Sequence, residues 1–216
     1  MLRAFTFNEV LFLLDATKWT IAVTLIAFVG GGLVGLLIMI LKVVNNRPAQ
    51  WGAAAYVELF QGTPLLAQLF VVYFGMGLFG YDVSPWVAVS VVFTLWSAAF
   101  LGEIWRGCVQ AIPRAQWEAS AALGLSFAQQ IRYVIAAQAA RIALPPTVGF
   151  LVQIIKNTSL ASVIGFIELA RAGQIVNSAT FRPFLVYCTV AMIYFALCYP
   201  LTALSRRLEG KLHGAH

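Results

Sequence analysis

The sequence predicts an all-α, polytopic membrane protein, and three observations carry that expectation. Hydrophobic residues fill 61% of the 216 positions and charged residues 10%, and mean hydropathy is +0.86. Such a chain has too little polar surface to coat a soluble globule of its size. Its apolar residues gather into runs long enough to cross a hydrocarbon core of about 30 Å. Between two of those runs lies a polar stretch, residues 113–129, with helix punctuation of its own.

Five transmembrane helices are expected, over residues 19–44, 53–79, 86–104, 131–155 and 184–204. The first spans roughly 39 Å as a helix, and no small-residue cleavage site follows it, so it is expected to remain uncleaved. Gly31 and Gly35 form a small-xxx-small pair on it that permits close helix approach. The second carries Glu58, Gln61, Thr63 and Gln68, and Gly62-Thr63-Pro64 weakens the helix there. Backbone groups freed inside a membrane turn toward protein or a watery cavity, so these four residues are candidates for a translocation path. An ionised glutamate at mid-bilayer costs on the order of 2.5 to 3.5 kcal/mol, which leaves Glu58 two readings: it lines the path, or it pairs with a cation such as Arg141 or Lys156 and ties helices together. Glu103 and Arg106 stand one turn apart at the end of the third span, as a local ion pair positioning the polar stretch. Past the fourth span, Asn157, Thr158 and Ser159 form a second polar cluster, also placed on the path. Cys188 and Cys198, ten residues apart in the fifth, lie roughly 15 Å from one another along a helix, too far for a disulfide. With Cys108 they read as packing residues rather than metal ligands.

An odd number of spans puts the termini on opposite sides. Lys42 and Arg47, then Arg106, Arg114 and Arg132, then Arg206, Arg207 and Lys211 all fall on one side, which the positive-inside rule makes the cytoplasm. The N-terminus is then outside, the C-terminus cytoplasmic, and the polar stretch cytoplasmic; Lys156, Arg171 and Arg182 run against the trend. The same asymmetry accounts for the net charge of +6 without nucleic acid. No linker, repeat or low-complexity segment divides the chain, so residues 1–216 form one transmembrane domain.

The polar stretch reads as helix, glycine corner, helix. Pro113 suits a first turn, Ala115, Ala119, Ala121 and Ala122 favour a helix, Gly124 supplies a left-handed stop, and Ser126 with Gln129 makes a capping box for a second helix. Glu118 lies one and a half turns before the corner. A glutamate, two small residues and a glycine six places after the glutamate (Glu118, Ala119, Ser120, Gly124) resemble the E-A-A loop of the membrane subunits of ATP-driven importers.

Three further segments, Tyr56-Val-Glu58-Leu-Phe-Gln61-Gly-Thr-Pro64-Leu-Leu-Ala-Gln68, Glu103-Ile-Trp-Arg106-Gly and Lys156-Asn-Thr-Ser-Leu-Ala-Ser-Val-Ile-Gly165, are similar to the polar amino acid branch of those importers, the histidine and glutamine type. The likeness covers residues 20–208. Two departures stand out: the I-x-L-P element of the family falls on Val134, Ile135, Ala136 and Ala137 without its proline, so the kink there should be missing, and Gln61 stands where many relatives have arginine. Leu144-Pro145-Pro146 should supply a break further in.

The resemblance implies a type I importer fold in a bacterial cytoplasmic (inner) membrane. It implies a second permease subunit, identical or a sister chain, two cytoplasmic ATP-binding subunits and an extracytoplasmic amino acid receptor. The coupling helix between the third and fourth spans, with Trp117, Glu118, Ala119, Ser120, Leu123 and Gly124, docks on the ATPase. No G-x-x-x-x-G-K-[ST] occurs, so ATP and Mg belong to the partner, and no cofactor, metal or catalysis is expected in this chain. The alternatives are a secondary carrier, which the missing inverted repeats disfavour, and a channel or anchoring protein whose polar loop recruits a cytosolic partner.

Overall fold

A computed structural model describes residues 4–213. Within these residues nine α-helices succeed one another: α1 (Phe7–Val43), α2 (Arg47–Gly62), α3 (Leu65–Leu78), α4 (Pro85–Gln110), α5 (Arg114–Ala122), α6 (Phe127–Gln129), α7 (Ala136–Asn157), α8 (Leu169–Thr180) and α9 (Pro183–His213). A π-helical stretch, Gln130–Ile135, joins α6 to α7, and a 3-10 segment, Thr158–Ile164, extends α7. No strand occurs among the described residues.

Four helical runs among the described residues are long and apolar enough to cross a membrane: Phe7–Val43, Pro85–Gln110, Phe127–Ile164 and Pro183–Leu212. The expected second span is instead two helices, α2 and α3, bent by 96° at the Thr63-Pro64 step, and it completes five only if the bent pair counts as one. The reason is local. Pro64 has no amide to donate, and it forces extended backbone on Thr63, whose ψ is 143°.

The first helix also begins earlier than expected. Thr6 and Glu9 close a capping box at its start, and Leu13 and Ala16, ahead of the expected start, pack on Leu169, Ala172, Val176, Val186 and Val190 of α8 and α9. That docking explains why the polar leading segment is helical. α8 itself was not foreseen. It has 12 residues, too few to span a bilayer, and no apolar run announces it.

α1 and α4 meet backbone to backbone. A Cβ added at Gly31 would lie 2.5 Å from Cβ of Ser97, one at Gly35 would lie 3.0 Å from the Ala98 carbonyl oxygen, and one at Gly102 would lie 2.9 Å from the Gly35 carbonyl oxygen. The small-xxx-small pair is therefore a packing face, answered by small residues on α4. Around it the main core assembles from Val23 and Ala27 of α1, Phe93 and Trp96 of α4, and Phe150 and Ile154 of α7.

Two expectations about the fourth span change. With alanine in place of the proline at Ala137, α-helix runs from Ala136, but an irregularity persists immediately before it as the π-helical stretch. Pro145 and Pro146 do not break α7, which stays helical to Asn157. Membrane helices tolerate proline where the surroundings support the backbone; Ser205 Oγ of α9 donates to the Pro145 carbonyl at 2.9 Å and so ties α9 to the double-proline turn. The three cysteines are unpaired; Cys108 and Cys198 are buried as expected of packing residues, whereas Cys188 is exposed.

The seam gives the first prediction. Gly31→Val should lower the melting temperature of the purified protein by the equivalent of about 1–3 kcal/mol of overpacking. Gly32→Ala on the same helix, whose new Cβ would meet its nearest neighbour at 3.6 Å, should melt as the unmodified chain does. Equal melting of both variants in detergent would show that the seam is not tight.

Candidate functional site

The polar corner is built as its residues dictate. Pro113 stands at the N-cap of α5, and the helix closes in a Schellman motif, with Leu125 N–H donating to the Ser120 carbonyl at 3.3 Å and Gly124 N–H to that of Ala121 at 2.9 Å. Gly124 has φ +75°, a left-handed conformation that penalises a side chain. Ser126 and Gln129 make the expected capping box, with Ser126 N–H donating to Gln129 Oε1 at 2.9 Å.

The six residues assigned to coupling divide between two faces. Glu118, Ala119, Leu123 and Gly124 are exposed, and Leu123 is 79% so. Ser120 is buried and donates to the Trp117 carbonyl at 2.8 Å. Trp117 stacks on Phe127 at 6.1 Å and packs on the cluster of Val109, Ile112, Ile135 and Ala139. Trp117 and Ser120 therefore hold the corner from inside, and the other four form its outward surface.

An ion-pair triad stands where α4 leads into this corner. Glu103 bonds Arg106, as expected, and also Lys42 of α1, Nζ to Oε2 at 2.7 Å. One carboxylate thus ties the ends of α1 and α4 together, and Arg106 reaches on to Gln110.

The broken second span has its own staple. Gln68 Nε2 donates to the Phe60 carbonyl at 2.9 Å, to the Thr63 carbonyl at 3.1 Å and to Thr63 Oγ1 at 2.9 Å. Thr63 Oγ1 donates in turn to the Leu59 carbonyl at 2.6 Å, and Gln61 Nε2 to the Ala99 carbonyl of α4 at 3.2 Å. Thr63 and Gln68 hold the bend. Glu58 is exposed, and among the described residues neither Arg141 nor Lys156 pairs with it, so within this chain the helix-tying reading fails.

At the other cluster, Thr158 is fully buried and donates to the Ile155 carbonyl at 2.7 Å, while Ser159 donates to that of Lys156 at 2.8 Å. Both hydroxyls satisfy the end of α7. Asn157 is half-buried as the last residue of α7. Among the described residues no hydrogen bond joins this cluster to that of Glu58.

Glu168 is a buried acid that sequence reasoning missed. It caps α8 by accepting from Arg171 N–H at 2.9 Å, and Oε2 accepts from the Tyr194 hydroxyl of α9 at 2.7 Å. The Thr20 hydroxyl of α1 lies 3.5 Å from Oε2 and accepts from Leu169 N–H at 3.2 Å. Burial pushes the Glu168 carboxyl above the ordinary carboxylate range, against the hydrogen bonds that pull it down. An acidic residue at a helix N-cap was the available signal, hidden because α8 has no apolar run.

A groove of about 660 Å³ opens among α1, α4 and α7 and is lined almost wholly by apolar side chains such as Leu33, Leu36, Ile131 and Leu144. Another, of about 800 Å³, lies along α9 and includes Lys156 and Arg206. Among the described residues no cluster of histidine, cysteine and carboxylate could hold a metal.

Against known proteins, residues 27–214 match the family described as binding-protein-dependent transport system inner membrane component. The chain belongs to that family. This inner membrane component is 34% identical over 202 residues to the glutamine transport system permease protein GlnP of Escherichia coli (strain K12), covering 93% of this chain and 92% of that one. It is 32% identical over 195 residues to the L-cystine transport system permease protein TcyB of Bacillus subtilis (strain 168), covering 90% and 83% of the two chains. Its fold superposes on the crystal structure of an amino acid ABC transporter with histidines at a TM-score of 0.88, with 33% identity and coverage of 93% and 94%. An inward-facing MetNI methionine ABC transporter shares the fold at a TM-score of 0.77 and 21% identity, covering 91% of this chain and 94% of that one. As a transport component of the inner membrane, the family member is not an enzyme.

The missed carboxylate gives the second prediction. Glu168→Ala removes an N-cap and strands the Tyr194 hydroxyl, so stability should fall by about 2–3 kcal/mol. Tyr194→Phe should cost about 1 kcal/mol. Thermal melting of both variants checks this, and equal effects would mean that the cap contributes nothing.

Proposed function

We propose that the chain is the permease subunit of an ATP-driven importer for polar amino acids, that it pairs with a second permease subunit, and that its α5 corner docks on a cytoplasmic ATPase. The observation that carries this is the corner itself: an otherwise apolar chain presents Glu118 and a bare Leu123 on a surface held rigid from inside by Trp117 and Ser120. An exposed leucine beside an exposed carboxylate suits a cleft with an apolar floor and a polar rim. Glutamine, cystine and arginine carriers among the relatives support polar amino acids as the cargo. Two ATPase subunits would bind ATP and Mg, and a receptor would deliver substrate from outside.

The orientation is part of the same reading. Lys42, Glu103, Arg106 and the corner gather at one end of α1 and α4, which supports a shared, cytoplasmic side. Glu58 and Gln61, exposed beside the bend, remain the residues of the second span assigned to the path; Thr63 and Gln68 support them from behind.

Two predictions test these assignments. Gly124→Val should abolish amino acid uptake and reduce co-purification of the ATPase while the chain still inserts, because the φ +75° corner penalises a branched Cβ. Wild-type uptake by that variant would remove the corner from coupling. In a background without the native cysteines, Ala119→Cys should react with an impermeant thiol reagent only from the cytoplasmic side and Asn8→Cys only from outside; both positions are exposed. Labelling of both from one side would overturn the orientation.

A further inference from the structure

The apolar groove among α1, α4 and α7 belongs to neither the outward face of the corner nor the bend of the second span. Its α1 wall runs from Phe28 to Val44, about 24 Å of helix, which exceeds the depth of one leaflet in a hydrocarbon core of about 30 Å. Leu33, Leu36 and Ile40 of α1 stand against Ala139, Ala140 and Ala143 of α7, and that mismatch in size leaves the space between the helices. Leu33 is 70% exposed. The polar side chains of the lining, Trp105 and Thr147, are bonded to each other, Nε1 donating to Oγ1 at 2.9 Å. A polar solute would find no partner there.

One end of this groove is electropositive. Val44 follows the last residue of α1, and Gln50 Nε2 donates to its carbonyl at 2.9 Å, which holds the first turn of α2, with Arg47, against that end. Arg132 follows the lining residue Ile131 in the π-helical stretch. Both arginines are exposed, and among the described residues neither meets a carboxylate; Arg132 lies over the Tyr133 ring at 5.7 Å. Residues 39–50 and 125–138 contain no acidic side chain. The same end carries the corner. Phe127 lines the groove and stacks on Trp117, and Ile131 and Ile135 belong both to the lining and to the cluster that seats Trp117.

We propose that this groove binds an anionic phospholipid, with an acyl chain lying between α1 and α7 and the phosphate meeting Arg47 and Arg132. Placing that end in the cytoplasmic leaflet rests on the orientation proposed above. An acyl chain that leaves the bilayer for an apolar wall gains no hydrophobic energy, so selectivity must come from the headgroup. Arginine supplies it, because its planar fork matches a phosphate bidentately. Basic pockets between transmembrane helices at a cytoplasmic surface attract anionic headgroups in the same way. A helix of the second permease could fill the apolar space but would leave both arginines without an anion. Since Phe127, Ile131 and Ile135 serve groove and corner alike, a seated chain backs the packing under Trp117. The corner is then held more firmly when the lipid is present.

The test titrates the purified complex of permease pair and ATPase in detergent with dioleoyl phosphatidylglycerol and, separately, dioleoyl phosphatidylcholine, and counts the lipid retained per permease chain by native mass spectrometry. The unmodified complex should hold one phosphatidylglycerol per chain about 30-fold more tightly than phosphatidylcholine, the range of two cations beside an anionic lipid. Arg47→Gln combined with Arg132→Gln should erase that preference. Ala140→Phe, at an exposed position of the α7 wall, should abolish retention of both lipids while the pair stays assembled and its melting unchanged. Hydrogen exchange over residues 113–129 should slow when phosphatidylglycerol is added to the unmodified complex and not when it is added to Ala140→Phe. Three results overturn the site: equal affinity of the unmodified complex for the two lipids, retention by Ala140→Phe equal to that of the unmodified complex (lipid bound elsewhere), and a permease pair that falls apart in Ala140→Phe (a helix of the second permease in the groove). Selective retention with unchanged exchange overturns the support of the corner. Selective retention with labelling of Ala119→Cys only from outside overturns the orientation instead and leaves the lipid site standing.

Discussion

The contact on which the molecule depends is the glycine seam between α1 and α4. Lipid tails are as apolar as leucine, so helices in a bilayer are not driven together by burial as they are in water; dispersion and close backbone approach must hold them. Gly31 lies on Ser97 and Ala98, and Gly35 and Gly102 face one another with no room for a methyl group. The Lys42–Glu103–Arg106 triad then closes the same pair of helices at one end. From Gln110 only three residues lead to α5, so the corner inherits its position from the seam. A rigid mount is what a coupling element requires, since force applied to a loose loop would be lost in the loop.

Where the helices are irregular, each irregularity brings its own hydrogen-bond partners. Gln68 reaches back across the Thr63-Pro64 bend to three oxygens, Thr158 and Ser159 satisfy carbonyls at the end of α7, and Glu168 caps α8. Non-helical backbone at membrane depth survives only where such partners exist or water enters. This separates two kinds of polar residue that look alike in sequence. Thr63, Thr158, Ser159 and the side-chain nitrogen of Gln68 spend their groups on the chain itself, whereas Glu58 and Lys156 form no ion pair among the described residues.

That distinction marks how much could be read beforehand. Hydropathy located the long helices, and capping and glycine chemistry located the α5 corner almost residue by residue, because both are local. Gly62-Thr63-Pro64 announced a weak point, but a bend of 96° depends on α2 and α3 packing separately on α4 and the core, which no local pattern encodes. α8 escaped because its 12 residues bury only one face, and their stability comes from α1 and α9. Glu168 escaped with it. The double proline misled in the opposite direction: its cost is real, yet α7 continues through it to Asn157.

Charge placement obeys the same division and links the structure to transport. At the end bearing the corner, Glu103 is shared by two cations and serves as a fastener. Along the spans, the acid on α2 and the lysine beside the middle of α9 have no counterion among the described residues. A single chain cannot leave such groups against lipid, so these faces must meet another subunit or an aqueous passage. Glu58 belongs to α2 and Lys156 to the end of α7, while the seam helices α1 and α4 carry the tightest backbone contacts. Under the coupling role proposed for α5, the subunit would be stiff where force enters, and a movement imposed there would pass through the α1–α4 seam toward α2 and α7, whose charges have no counterion among the described residues.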